Sequence, residues 1–271
     1  MMKDSEVKLC YIFCLLAFVS CSHDVENVPP GREVYESMVF DHNHTALSNV
    51  LKEVVDFGLV DYVQLKQRSD ALQDYLETVA RVPRAKFAKW PKAERLAFLL
   101  NIYNAATLKL LADHYPVESI KDISRFPSVW KIKIVSLFGE KHSLDDLEHK
   151  MIRKQFKSPQ IHFALVCGAQ SCPQLRDEPY TATRLEVQFA EQAVSFFGDT
   201  NKNRVDPDAK VVHLSPIFKW YAEDFGRTEK DLLRFVAPYL PVKFKKDLLN
   251  GEFKIDYTDY DWSINHSPVQ K

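Results

Sequence analysis

The stretch "AERLAFLLNIYNAATLKLLADHY", residues 93–115, decides the fold. It has helical length, consists largely of strong helix formers and follows Pro91, a residue suited to a helix start. Apolar side chains fall on nearly every face, so the spacing predicts a central helix buried on most sides. Asn101 and Asn104 sit inside it three residues apart and therefore share a face. A buried amide costs stability unless it is hydrogen-bonded, which leaves two roles for the pair: holding neighbouring loops, or lining a polar site.

Outward from this helix, "KIKIVSLFG", residues 131–139, alternates like a strand, and "SLDDLEHKMIRKQF", residues 143–156, reads as a helix capped by Ser143 with Asp146 three residues on. Leu144, Glu148 and Ile152 fall on one stripe of it, so Glu148 faces apolar neighbours. Such a carboxylate needs a partner or has a raised pKa, and Arg153, His149 or an asparagine of the central helix could supply the hydrogen bonds. A buried ion pair and a catalytic acid both fit that position.

"IHFALVCGAQSCPQL", residues 161–175, carries the chemistry. "IHFALVC" has strand composition, and alternation puts His162, Ala164 and Val166 on one face and Phe163, Leu165 and Cys167 on the other. Cys172 precedes Pro173, the residue preferred at the first helical position. A helix start there would lower the thiol pKa and leave backbone N–H groups free to hold an oxyanion. Cys172 is thus the expected nucleophile, and Cys167 reads as a strand-end core residue. The alternative is a Cys167–Cys172 disulfide, which closes a very small loop and adds little stability. C-x4-C with no second pair is a weak zinc pattern, so no metal or cofactor is expected.

The C-terminal third reads as an amphipathic helix in "TATRLEVQFAEQAVSFF", a hairpin around residues 203–214, a helix begun by Ser215 and Pro216, two further helical segments and strand composition in "FKIDYTDYDWSIN". Helices outnumber strands, and the strands come as hairpins or isolated edges. The expected fold is α+β, a helix-rich single domain over 41–265 with a small antiparallel sheet.

Composition agrees, with 46% hydrophobic and 27% charged residues among 271, enough to bury a large core. The 36 basic residues against 37 acidic ones give no global basic field to hold nucleic acid or an anionic membrane, and nucleic acid is not expected as a partner. At the N-terminus Lys3 and Lys8 precede an uncharged run, Leu9–Ser20, long enough for an export signal and too short to span a bilayer. Small Ser20 before Cys21 resembles the bacterial lipobox, although Phe18 stands where leucine is usual. The expectation is a signal over 1–20, a lipidated Cys21, a linker over 21–40, and a protein anchored to a membrane of the cell envelope; an ordinary cleaved signal, giving a secreted protein, is the alternative. Residues 266–271 read as a tail.

"FLLNIYNAATL", "SLDDLEH" with "IR", "IHFALVCGAQSCPQL", "LSPIFKWYAEDF" and "YDWSIN" together resemble, in order, the motifs of the family called domain of unknown function 547, over roughly residues 45–265. Phe98-Leu99-Leu100 lacks the tryptophan that often precedes the central asparagine. The resemblance implies a secreted or lipid-anchored bacterial protein, and it directs attention to Asn101, Tyr103, Asn104, Glu148, His149, Arg153, His162, Cys172, Pro173, Asp224, Tyr260, Asp261 and Trp262. A thiolate at a helix start beside a strand histidine also resembles papain-like thiol enzymes, in the permuted order with histidine first. In that arrangement Cys172 attacks an amide or ester carbonyl of a small-molecule or peptide substrate, and His162 or His149 shuttles the proton. Glu148, Asp261, Asn101 or Asn104 orients the imidazole. The non-enzyme alternative keeps the disulfide and makes the polar residues a network around a ligand or partner groove.

Overall fold

The computed structural model describes residues 39–267. The stretches expected to be an export signal and a lipidated Cys21, and all but the end of the expected linker, lie outside the described residues. Phe40, assigned to that linker from sequence, is buried in the core.

Among the described residues five helices build the first half: α1 (Thr45–Val54), α2 (Tyr62–Gln67), α3 (Ser69–Ala80), α4 (Arg84–Lys89) and α5 (Lys92–His114), with a short hairpin of β1 (Val55–Asp56) and β2 (Leu59–Val60) between the first two. α5 is the expected central helix. Pro91 caps it in extended geometry, and every residue from Leu96 to Leu108 is buried. It packs against α2 and α3, and it stops at His114 because Pro116 holds Tyr115 in extended backbone.

The segment after it departs from the expected long strand. Val129–Lys131 is a 3₁₀ turn, and only β3 (Val135–Leu137) pairs, antiparallel with β4 (Glu140–His142). The helix read at 143–156 forms, and its cap is as expected: Asp146 N–H donates to Ser143 Oγ at 3.1 Å, and Ser143 N–H to Asp146 Oδ2 at 2.9 Å. Its body, Asp146–Arg153, is however π-helical, running into α6 (Lys154–Phe156). Wide turns of this kind are rare and recur at functional sites.

"IHFALVC" is not a strand. Pro159–Phe163 is a 3₁₀ helix, and the chain then runs without a ladder partner. Its residues Ile161 to Val166 are all buried, with Phe163 in the C-terminal hydrophobic cluster and Ile161, Ala164, Leu165 and Val166 in the N-terminal one. Buried on both sides between two cores, the segment has no solvent face for an alternating strand to present. Its backbone is satisfied by Asn104, whose Nδ2 donates to Ala164 O at 2.9 Å and whose Oδ1 accepts from Val166 N–H at 3.0 Å.

The C-terminal half holds α7 (Leu185–Gly198), the expected hairpin of β5 (Arg204–Asp206) and β6 (Val211–Leu214), the short helices α8 (Ile217–Trp220) and α9 (Ala222–Phe225), then α10 (Glu229–Val236) and α11 (Lys245–Asn250). β7 (Lys254–Tyr257) closes a three-stranded sheet in the order β5-β6-β7. The β6–β7 pair is parallel, so this sheet is mixed rather than purely antiparallel. The fold is α+β and helix-rich. Among the described residues no helix is long and apolar enough to cross a membrane.

Replacing Asn104 by Ala removes both hydrogen bonds and leaves a buried carbonyl and a buried N–H unpaired. The expected loss is on the order of 2–4 kcal/mol, read as a lower urea midpoint with an unchanged m-value. An unchanged midpoint would mean that another group satisfies the 164–166 backbone.

Candidate active site

A cavity of about 410 Å³ opens where the two halves meet. α5 contributes Tyr103, the π-helix Glu148 and His149, the 3₁₀ turn His162, the following loop Cys167 and Cys172, the α8–α9 junction Trp220 and Tyr221, and the terminal segment Tyr260 and Trp262. Four expected site residues therefore meet here: Glu148, His149, His162 and Cys172.

Three others do not. Asn101 exchanges two hydrogen bonds of 2.8 Å with the backbone of Tyr180, and Asn104 holds residues 164–166, so both asparagines hold neighbouring backbone outside the cavity wall. Asp261, expected as an orienter of the imidazole, instead caps Ser263 through its N–H at 2.9 Å and hydroxyl at 2.6 Å, on the outer surface.

The cysteine loop is held by the terminal segment. Asn265 N–H donates to Gly168 O at 2.8 Å, Gln170 N–H to Ser263 O at 2.8 Å, and Ser171 Oγ accepts from Asp261 N–H at 2.9 Å. Gly168 has φ +74°, and a Cβ there would lie 2.4 Å from Leu111 Cδ1, so both conformation and space require glycine. Because this strap takes the loop's backbone groups, no helix begins at Pro173, and the helix-start field expected at Cys172 is absent.

The two thiols are free, and their surroundings differ. Cys172 is buried. Its sulfur accepts the Cys167 N–H at 2.9 Å, and burial together with the adjacent Cys167 thiol pushes its pKa well above the ordinary thiol value. Cys167 is part-exposed, with Sγ 3.3 Å from the Tyr260 hydroxyl. Hydrogen bonding from Cys172, and then from Tyr260 and the Ala169 N–H, lowers its pKa against the effect of burial. Of the two thiols, Cys167 is the one whose surroundings favour the thiolate.

His162 is buried, stacks on Tyr221 at 4.1 Å between ring centroids, and has Nε2 2.6 Å from Asp224 Oδ2. Asp224 also accepts from Arg153 Nε at 2.7 Å, and Arg153 and His162 hold its pKa below the usual carboxylate value despite burial. An ionised Asp224 can only accept, so Nε2 carries the proton and Nδ1 keeps the lone pair. Burial lowers the His162 pKa, while Asp224 and Glu148 oppose that shift. His149 is arranged differently: its Nδ1 accepts from Arg153 at 2.9 Å, so its neutral ring carries the proton on Nε2, facing Asp145 at 3.7 Å. To act as an acid it would have to break the Arg153 contact.

Glu148 is buried, as its stripe position predicted, but neither Arg153, His149 nor an asparagine holds it. Tyr103 donates to it at 3.3 Å, and Tyr221 is a second donor. Burial and Glu148 raise both phenols far above their ordinary pKa, so they remain donors. Trp130, Trp220 and Tyr221 were missed from sequence; Tyr221 lies three residues before Asp224 in "WYAED", where one short helical turn presents both to His162. Among the described residues no three His, Cys, Asp or Glu side chains group as metal ligands do. Neither thiol hydrogen-bonds an imidazole, so the papain-like dyad is not formed.

Helix-rich α+β architecture around a two-cysteine cavity defines the class of the protein. Residues 87–197 match the family described as protein of unknown function, DUF547. The match spans α4 to α7 and includes Tyr103, Glu148, His149, His162 and both cysteines, while Asp224 and Tyr260 lie beyond it. No curated protein and no solved structure matches the chain.

With no reductant present, only one of the two thiols among the described residues should alkylate fast, and peptide mapping should place that label on Cys167. Its rate should titrate with a midpoint below the reference value of about 8.5, and Tyr260→Phe should move that midpoint upward. Fast labelling of Cys172 instead would reverse the assignment.

Proposed function

We propose that the chain is a thiol-dependent hydrolase or acyltransferase acting on an amide or ester, with Cys167 as nucleophile and His162 as base. The observation that carries this reading is one cavity holding both a part-exposed thiol and an imidazole whose Nε2 is tied to a carboxylate. That tie leaves Nδ1 as the proton acceptor, the division of labour a catalytic histidine needs.

In the reaction His162 Nδ1 takes the Cys167 thiol proton. The thiolate attacks the carbonyl carbon, and the C=O electron pair moves onto oxygen. The intermediate collapses, expelling the amine or alcohol, which takes the proton back from His162 and leaves a thioester on Cys167. Water, or an acceptor amine or alcohol, then attacks that thioester while His162 removes its proton, and the C–S bond breaks to return the thiolate. Substrate fills the space between sulfur and imidazole, which are not hydrogen-bonded to each other. Glu148 favours the imidazolium form by its charge.

A leader ending in Ser20-Cys21 supports placing the domain on a membrane outside the cytosol, through lipid on Cys21. Cys21→Ala should then release the protein from the membrane fraction without changing its thermal unfolding. A wild-type chain recovered soluble with residues 1–20 still attached would count against the anchor.

A second reading, a non-catalytic binding protein bridged at Cys167–Cys172, is favoured by the Cys167 N–H contact to Cys172 Sγ, which keeps the two side chains together. p-Nitrophenyl acetate separates the two. The enzyme should release a burst of nitrophenolate and gain an acetyl group on Cys167, and Cys167→Ser should abolish both. His162→Gln should lower turnover roughly 10²- to 10⁴-fold with the fold intact. A chain that shows no free thiol until reductant is added, and no acetyl adduct afterwards, is the bridged protein.

A further inference from the structure

We infer that the mouth of the cavity docks on an anionic phospholipid surface through the loop spanning residues 121–131. This contact is independent of any chemistry at Cys167. The loop joins two 3₁₀ turns, Ile120–Asp122 and Val129–Lys131, and its end forms the cavity rim through Ser128, Trp130 and Lys131. Two residues before the rim, Phe126 is 96% exposed. Isolated exposed apolar side chains are ordinary on protein surfaces, so the ring alone carries nothing. Its surroundings do.

Trp220, on the same cavity, is 48% exposed and stacks on Trp262 at 5.7 Å. Lys121 Nζ lies 3.7 Å from the centroid of the Trp262 ring, so the loop's first cation and the rim indoles form one surface. Residues 121–133 contain four basic side chains and one acidic one. The acidic one, Asp122, is turned back to the Ser119 N–H at 3.0 Å, and Lys133 is spent on Asp146. Among the described residues no carboxylate pairs with Lys121, Arg125 or Lys131. The other highly exposed phenylalanine among the described residues is a contrast: Phe57 sits in residues 55–61, which hold two acidic residues and no basic one.

Exposed aromatic rings beside unpaired cations match the two layers of a bilayer surface. Indole and phenyl rings settle at the headgroup boundary, and Lys and Arg meet anionic headgroups just above it. Docked this way, the cavity opens towards the membrane, and amphiphilic molecules resident there reach it without crossing water.

The test uses the full chain, unlipidated, with vesicles of phosphatidylglycerol mixed with a phosphatidylcholine brominated on its acyl chains. All four tryptophans, residues 90, 130, 220 and 262, lie outside the leader, so bromine quenching of their emission reports the domain even where the leader itself enters the bilayer. Quenching should appear on anionic vesicles and weaken as salt rises. The pair Phe126→Ser with Arg125→Glu should raise the lipid concentration needed by roughly tenfold or more, with an unchanged circular dichroism spectrum. Co-sedimentation without quenching would overturn the inference, because the leader alone would then be holding the chain. So would quenching that the paired substitution leaves intact. A sedimentation coefficient that falls in Phe126→Ser without lipid would assign this face to a second copy of the chain and would overturn it as well.

Discussion

One side chain decides where the catalytic candidates stand. Asn104 donates to Ala164 O and accepts from Val166 N–H, doing for a stretch of buried chain what a neighbouring strand would otherwise do. Without it, two backbone groups would be stranded between two hydrophobic clusters, where water cannot reach them. One turn earlier on the same face, Asn101 makes the corresponding pair of bonds to Tyr180. The two amides thus fix the chain on either side of the cysteines, and the loop from Cys167 to Cys172 hangs between two points set by one rigid helix. Spacing of i,i+3 on that helix is what makes this possible, since it aims both amides the same way.

What could be read from the sequence was what local pattern determines. The all-round apolar run of the central helix, the Ser143–Asp146 cap, the hairpin at 204–214 and the burial of Glu148 each depend on residues a few positions apart. The misread features depend on distant ones. "IHFALVC" has strand composition, yet both of its sides are covered, which only the packing of two clusters on either flank could reveal. Cys172-Pro173 carries the local mark of a helix start, but Asn265 and Ser263, more than ninety residues away, take the loop's backbone groups for themselves. Glu148 was placed on the correct stripe and given the wrong partners, because Tyr221 comes from another part of the chain altogether.

The matched family segment and the complete site are also not the same thing. Residues 87–197 hold the thiols and both cavity histidines, but groups that act on them come later: Asp224 fixes the His162 tautomer, and the Tyr260 hydroxyl lies 3.3 Å from Cys167 Sγ. The C-terminal third is therefore part of the cavity's construction. It wraps back through the parallel β6–β7 pair and the 260–265 strap, bringing a phenol and the loop's missing backbone partners in one pass.

Two thiols held side by side cannot both ionise, because the first negative charge opposes the second. Which one does is decided by donors against burial. Cys172 receives one N–H, from Cys167, and is otherwise enclosed by core, so its protonated form wins, and its S–H is left to point at Leu165 O, 3.9 Å away, or at its neighbour's sulfur. Cys167 keeps partial access to the cavity and gathers Tyr260, the Ala169 N–H and the Cys172 thiol around its sulfur. The buried thiol thus acts as a hydrogen-bond donor that supports the exposed one, a role that serine could fill in part and alanine could not. That asymmetry sets the two cysteines apart from a symmetric pair, and it follows from the strap and the asparagine clamp rather than from the C-x4-C spacing itself.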